Sequence, residues 1–495
     1  MAIGTVQTST GAVSGVDLNG ITVFRGIPYA APPVGDLRWR APQPAAPWDG
    51  VRACTEFGDM CIQNSGFVGM DAFLHHPQSE DCLYLNIWTP AQSAGENLPV
   101  HFWVHGGGFQ GGLGDEPLYQ GVSLVEQGEI LVTINYRLGA LGFLAHPALT
   151  AEDPHGTSGN YGLLDQIAAL RWVKRNIRAF GGDPNRITIS GQSAGAMSVA
   201  VLLSSPLTSG LYSGAILQSG GPRPGACTLE DAESYGAALQ QKLGCADIEA
   251  MRALPAEAIL AATKPAPGAL TFRPVIDGYV LQEDPYDAFL GGRIGQVPVI
   301  IGSNADEGLF APVNGADFAS FSEDAKRYFG ADYAEFCALY NFTPENFHRA
   351  ALDVQRDFAF VNIRHVLKTL SDTHPCPVYQ YYFTEPILLQ DGTFIGATHS
   401  AELFYVFGTL DVLGGSTLDG KPMPVKKERP QYTLSEQMGR YWVNFVRMGD
   451  PNAPGLPAWR PAGNGEYMHF SANDVMSEQT RRPARISFLE KHRPA

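Results

Sequence analysis

The stretch Gly191-Gln192-Ser193-Ala194-Gly195 sets one serine between two glycines, each two positions away. A serine held at a sharp strand-to-helix reversal presents its hydroxyl for attack on a carbonyl carbon, and the flanking residues must be nearly side-chain-free because strand and helix close on each other there. The pattern also fits an ordinary tight turn, so its chemistry depends on partners elsewhere in the chain. Acyl transfer at serine needs a base, a group that orients the base, and donors aimed at the developing oxyanion. The run His105-Gly106-Gly107-Gly108-Phe109 supplies successive backbone N–H groups with no Cβ to block a carbonyl. Gly107 and Gly108, with the N–H of Ala194, are expected to form a three-donor oxyanion hole.

When such a serine sits on alternating strands and helices, the acid and then the base follow it in the chain. That order sets aside His75, His76, His101, His105, His146 and His155. Among His348, His365, His374, His399, His469 and His492, His399 alone sits in a Gly/Thr/Ser-bounded loop before an apolar segment, "IGATHSAELFYVFG". The loop "GSNADEG" (302–308) offers Asp306 and Glu307 as the acid. Neighbours on a tight loop point apart, so one faces His399 and the other caps or meets water; the residues alone leave the choice open.

The elements needed to hold these groups are legible. "LPVHFWVHGGGF" (98–109), "ILVTINYRLG" (130–139), "RITISG" (186–191), "SGAILQSG" (213–220) and "VPVIIGSNADEG" (297–308) are short, apolar, β-rich runs ending in Gly or polar loops. Between them lie helical patterns, clearest over 163–182, where Ile167, Leu170, Trp172, Val173 and Ile177 recur near helical spacing until Gly181-Gly182. Strands alternating with helices predict an α/β fold with a mostly parallel sheet covered on both faces, and chemistry at the carboxyl ends of its strands. The first 60 residues, with "FRGIPYAAPPVGDLRWRAPQP" (24–44), read as Pro- and Gly-punctuated hairpins, a β-meander leading into the main sheet. With no repeat or flexible linker, residues 1–495 are expected to form a single elaborated domain.

A composition of 44% hydrophobic and 17% charged residues is that of a globular protein. The 34 Lys+Arg against 50 Asp+Glu give a net charge of −16, which repels phosphate backbones and argues against nucleic-acid partners. The start, "MAIGTVQTSTGAVSG", lacks a basic and then apolar leader, and no apolar run of membrane-spanning length occurs, so the chain reads as cytoplasmic and without a membrane anchor. Seven scattered cysteines show no metal-site spacing, and the chemistry requires no metal or cofactor.

Taken together, these residues make the chain similar to the type-B carboxylesterases, the carboxylesterase/cholinesterase lineage of α/β-hydrolases, and above all to its bacterial para-nitrobenzyl-esterase-like members. "SEDCLYLNIWTP" (79–90), "HGGGF", "NYRLGALGF" (135–143), "GNYGLLDQ" (159–166), "FGGDPNRITISGQSAGA" and "FVRMGDPN" (445–452) occur in family order over nearly the whole chain. The resemblance implies an α/β-hydrolase fold and a serine carboxylesterase acting on small-molecule esters, with Ser193 as nucleophile, His399 as base and Glu307 as acid. It also implies Ser219 as a hydroxyl near the acid, structural ion pairs of Arg38 with Glu80 and Arg137 with Asp165, and Cys61 and Cys82 as a loop-closing pair, which a reducing cytoplasm could hold as thiols.

The chain departs from the family's pattern in four places. Gln192 stands beside the nucleophile where many relatives carry glutamate, removing a charge next to the histidine. The 61–82 loop holds Phe67 and Phe73 but no tryptophan for a quaternary ammonium. Cys245 lacks the nearby partner of secreted animal relatives. The acyl-side stretch "GGPRPGACT" (220–228) has no bulky tryptophan, which suggests a roomier acyl pocket. Two other functions are compatible with the domain: a carbamate or amide hydrolase on the same three residues, and, more remotely, a non-catalytic cholinesterase-like binding protein, against which the retention of Ser193, Glu307 and His399 speaks.

Overall fold

A computed structural model of the chain describes residues 3–64, 77–264, 272–307, 317–413, 417–418, 421–422, 425–479 and 483–492. Eleven strands form the main sheet among the described residues: β1 (Val16–Leu18), β2 (Ile21–Pro28), β3 (Tyr84–Thr89), β4 (Leu98–Val104), β5 (Ile130–Ile134), β6 (Gly182–Gln192), β7 (Gly214–Gln218), β8 (Val299–Asn304), β9 (Val378–Phe383), β10 (Glu466–Ser471) and β11 (Asp474–Gln479). Their spatial order is β11-β10-β9-β8-β7-β6-β4-β5-β3-β2-β1. The pairs from β10 through to β5 are parallel, and antiparallel pairs close the two edges.

β5, β7, β8 and β9 are buried along their whole length, as expected of strands covered on both faces. Alternate side chains feed opposite cores: Val299 and Ile301 join one apolar cluster and Ile300 the other. Each fully buried aliphatic of this kind contributes about 1.5–3 kcal/mol relative to exposure. Helices α1 (Tyr161–Asn176), α2 (Ala194–Ser204) and part of α3 (Phe347–Thr373) cover the first face through residues such as Leu163, Ile167, Val199 and Val366. On the second, α4 (Arg429–Met448) lays down Leu434, Met438, Tyr441, Trp442 and Phe445. Among the described residues no helix is long and apolar enough to cross a membrane.

The five strands read from sequence are β4 to β8, and the helix read over 163–182 is α1 followed by a 3-10 turn at Ile177–Phe180, stopped by Gly181 at φ 88°. The N-terminal β-meander is present, β1, β2 and β3 pairing antiparallel in chain order at the edge of the main sheet, and only the hairpin reading of residues 29–44 needs correction. β1 and β2 do form a hairpin into the main sheet, and Thr5–Gln7, Ala12–Ser14 and Val51–Ala53 form a separate small sheet. Residues 29–50, however, hold only a 3-10 turn at Gly35–Leu37 rather than hairpins. Prolines 32, 33, 42, 44 and 47 remove ladder donors there. The stretch is tied down instead by Arg38, whose Nε donates to Glu80 Oε2 (2.7 Å) and whose guanidinium also donates to the carbonyls of Arg252 and Leu254.

Arg137 and Asp165 form the other expected pair, fully buried, with Nε–Oδ2 at 2.8 Å and Nη2–Oδ1 at 2.7 Å. Cys61 and Cys82 are joined in a disulfide, their Cα atoms 5.0 Å apart. Cys54, Cys227, Cys245, Cys337 and Cys376 are free. Phe67 and Phe73 lie outside the described residues.

Candidate active site

Register brings the candidate residues to one level of the sheet. Val104 pairs with Gly191, Gln192 with Gln218, and Gln218 with Gly302. The loops leaving β4, β6, β7 and β8 therefore emerge side by side at the carboxyl ends of their strands, where open α/β sheets gather their chemistry.

Ser193 stands between β6 and α2 with φ 57° and ψ −123°, a conformation that costs a non-glycine residue about 1–3 kcal/mol. Two hydrogen bonds hold it: its N–H donates to Gln218 O (2.9 Å) and its carbonyl accepts from Met197 N–H (2.9 Å). A Cβ at Gly195 would run into the Val104 carbonyl, and one at Gly191 into the Gly195 backbone, so both glycines are required by the close passage of strand and helix. Ala194 is the first residue of α2, where an N–H has no partner within the helix.

The glycine loop turns sharply after β4. The carbonyl of Gly107 accepts from Gln110 N–H (2.9 Å) and Gly111 N–H (3.0 Å), and Gly107 and Gly108 have φ of 107° and 63°. His105, buried beneath, stacks on Tyr136 and binds the Gly106 carbonyl through Nδ1 (2.8 Å). Burial lowers its pKa to about 4, so it stays neutral and serves the loop's architecture.

His399 Nδ1 lies 2.5 Å from Glu307 Oε2. The other Glu307 oxygen accepts from the backbone N–H of Asn304 (2.8 Å). Asp306 points elsewhere, accepting from Ala397 N–H (2.9 Å) while its own N–H donates to Ala397 O (2.9 Å), and so clamps the histidine loop to the end of β8. The alternative left open by the residues is thereby resolved: Glu307 faces the imidazole and Asp306 holds the backbone.

Burial works to raise the Glu307 pKa, but the His399 ring and the Asn304 N–H outweigh it and hold the carboxyl below its ordinary value. His399 is the mirror case. Burial favours the neutral ring, yet Glu307 raises its pKa above the ordinary histidine value. The far nitrogen, Nε2, is met by the Gln192 side-chain nitrogen at 3.0 Å. With Nδ1–H donated to Glu307, the Nε2 lone pair faces the amide.

Ser193, Gly108, Ser219, Glu307 and His399 share the wall of one cavity of about 600 Å³, whose far side is Phe358, Asn362, Ile363 and Val366 of α3. Ser219, at φ 49°, helps hold the Glu307 carboxyl low, and its Oγ lies 3.4 Å from Glu402 Oε1.

Glu402 was not anticipated. It is fully buried, accepts from Asn304 Nδ2 (2.5 Å) and Gln218 Nε2 (3.3 Å), and is pushed up to about 7 by burial and then by the neighbouring Glu307 charge. Its position three residues after His399, in the turn entering an apolar segment, is the only trace it leaves in the sequence.

The model of a family described as "Carboxylesterase family" matches residues 3–489. The chain is similar to a fumonisin B1 esterase of Sphingopyxis macrogoltabida, 39% identical over 94% of this chain and 86% of that one. To a para-nitrobenzyl esterase of Bacillus subtilis it is 37% identical over 90% of each. A solved structure titled PNB esterase superimposes with a TM-score of 0.84 at 33% identity, covering 98% of this chain and 99% of the other.

Proposed function

Since the chain belongs to the carboxylesterase family, with an α/β-hydrolase fold and carboxylic ester hydrolase activity, we propose that it cleaves esters through Ser193, His399 and Glu307 by way of an acyl-enzyme. The observation that carries this reading is the 2.5 Å contact of Glu307 with His399 Nδ1 on the wall of the cavity that Ser193 also lines. Nδ1–H donated to the carboxylate fixes the tautomer that carries its proton-accepting lone pair on Nε2.

His399 Nε2 takes the Ser193 hydroxyl proton as Oγ bonds to the ester carbonyl carbon. The carbonyl oxygen becomes an oxyanion held by the N–H groups of Gly107, Gly108 and Ala194; one such donor is worth about 3–4 kcal/mol in the barrier. The tetrahedral intermediate collapses, the C–O bond to the alcohol breaks, and the alcohol leaves with the proton from Nε2. Water then gives a proton to Nε2, attacks the acyl carbon and releases the acid, and Ser193 recovers its proton. Glu307 steadies the imidazolium in both halves. The Gln192 amide meets the ring before substrate binds, and His399 Nε2 exchanges it for the serine hydroxyl in the reacting complex.

The test is Ser193→Ala with a short-chain 4-nitrophenyl ester. Loss of turnover in a folded variant is expected, and wild-type turnover would overturn the assignment. The same three residues could acylate on carbamates or activated amides, and matched ester, carbamate and amide substrates rank the three activities directly.

A further inference from the structure

β7 delivers the chain to the nucleophile and then along the cavity wall. Gly220 passes so close to the Ser193 carbonyl that a Cβ would collide with it, and the segment continues as Gly221-Pro222-Arg223-Pro224. Proline on either side fixes φ at 222 and 224 and confines Arg223 to extended backbone, so the arginine stands on a stiff strap rather than a mobile loop.

Arg223 lines the cavity that holds Ser193 and His399, and it also lines an adjoining cavity of about 200 Å³ walled by Phe109, Met197, Val201 and Arg273. Its charge is felt at His399, where it works against protonation. The buried arginines are matched to carboxylates, Arg38 to Glu80, Arg137 to Asp165, Arg252 to Glu152 and Arg356 to Asp357, whereas Arg223 and Arg273 are exposed. Among the described residues, Arg223 and Arg273 have no carboxylate and no hydrogen-bond partner. The cavity's own carboxylate, Glu307, is committed to His399.

A chain of net charge −16 repels anions in general, yet here it presents one unneutralised guanidinium, Arg223, on the wall of the Ser193 cavity and a second, Arg273, on the wall of the adjoining one. A planar guanidinium matches a carboxylate with two parallel N–H···O bonds. We propose that the preferred esters carry a free carboxylate, held by Arg223 with Arg273 beside it, so that charge as well as chain length sets specificity. The inference rests on the Ser193 reading above.

The carboxylate could belong to the acyl or the alcohol part, and the experiment has an arm for each. One compares 4-nitrophenyl hydrogen adipate with 4-nitrophenyl hexanoate; the other compares 4-carboxyphenyl hexanoate with phenyl hexanoate. In each arm the charged-to-neutral ratio of kcat/KM is measured for wild type, Arg223→Gln, Arg223→Lys, Arg223→Glu and Arg273→Gln, all normalised by active-serine titration.

In at least one arm, Arg223→Gln is expected to lower the ratio about fivefold or more, Arg223→Lys to restore part of it, and Arg223→Glu to depress it further. Added salt should erode the wild-type ratio, since the pair is exposed. Ratios unchanged by Arg223→Gln and Arg223→Glu in both arms overturn the inference while leaving hydrolysis of the neutral esters, and the Ser193 reading, intact. Failure of wild type to hydrolyse any of the four esters overturns both.

Discussion

Replacing Glu402 by glutamine should stabilise the folded chain at pH 8 far more than at pH 5. The carboxyl is fully buried and pushed from its ordinary value of 4.5 up to about 7, by burial first and by Glu307 second. Below pH 4.5 it carries its proton both folded and unfolded and favours neither state. Between 4.5 and 7 the unfolded chain releases the proton while the folded chain keeps it, so stability falls as pH rises; above 7 the cost is constant. A gap this wide is worth about 3 kcal/mol, of which about 2.5 kcal/mol develops between pH 5 and pH 8.

Glutamine removes the titration. Its carbonyl can still accept from Gln218 and Ser219, while its NH₂ meets the Asn304 amide nitrogen at a cost that does not depend on pH. The quantity to measure is therefore the change in variant-minus-wild-type stability between the two pH values, from urea unfolding. In parallel, a wild-type-minus-variant infrared spectrum of the folded protein should show a protonated carboxyl band at pH 6 that fades through pH 7. Equal stability differences at pH 5 and 8, together with no such band at pH 6, would refute the reasoning.

Three other perturbations bear on the site. Glu307→Gln removes the charge that favours protonated His399, so the acid limb of the kcat/KM profile should move to lower pH and kcat should fall by orders of magnitude; an unmoved limb would contradict the assignment. Gln192→Glu puts a carboxylate beside Nε2, which favours the imidazolium, so the same limb should move to higher pH in an otherwise active enzyme. Gly195→Ala forces a methyl into the Val104 carbonyl; it should cost about 1–3 kcal/mol by thermal unfolding and abolish serine labelling, whereas wild-type labelling would show that the elbow tolerates a side chain.

Where the sequence spoke clearly, the physical demand was local. The glycines at 191 and 195 are needed by two elements touching at one residue, and the β-rich runs ending in Gly or polar loops mark where parallel strands stop. Asp306 and Glu307 could not be separated because adjacent residues differ only in direction, which the bridge to Ala397 decides. Glu402 escaped because a buried carboxyl satisfied by Asn304, Gln218 and Ser219 draws on three distant segments and has no spacing of its own. The 29–44 run misled for the opposite reason: its prolines look like hairpin punctuation, but they leave a strap held by side chains such as Tyr29, Arg38 and Trp39 bonding to distant segments. The cavity's far wall, on α3, has no signature near the nucleophile at all.

The account turns on which atom carries the acyl group. Reacting the protein with one equivalent of an organophosphate and mapping the adduct by peptide mass spectrometry should find it on Ser193 alone, with stoichiometric loss of esterase activity. Full inactivation with the adduct on any other residue would contradict it.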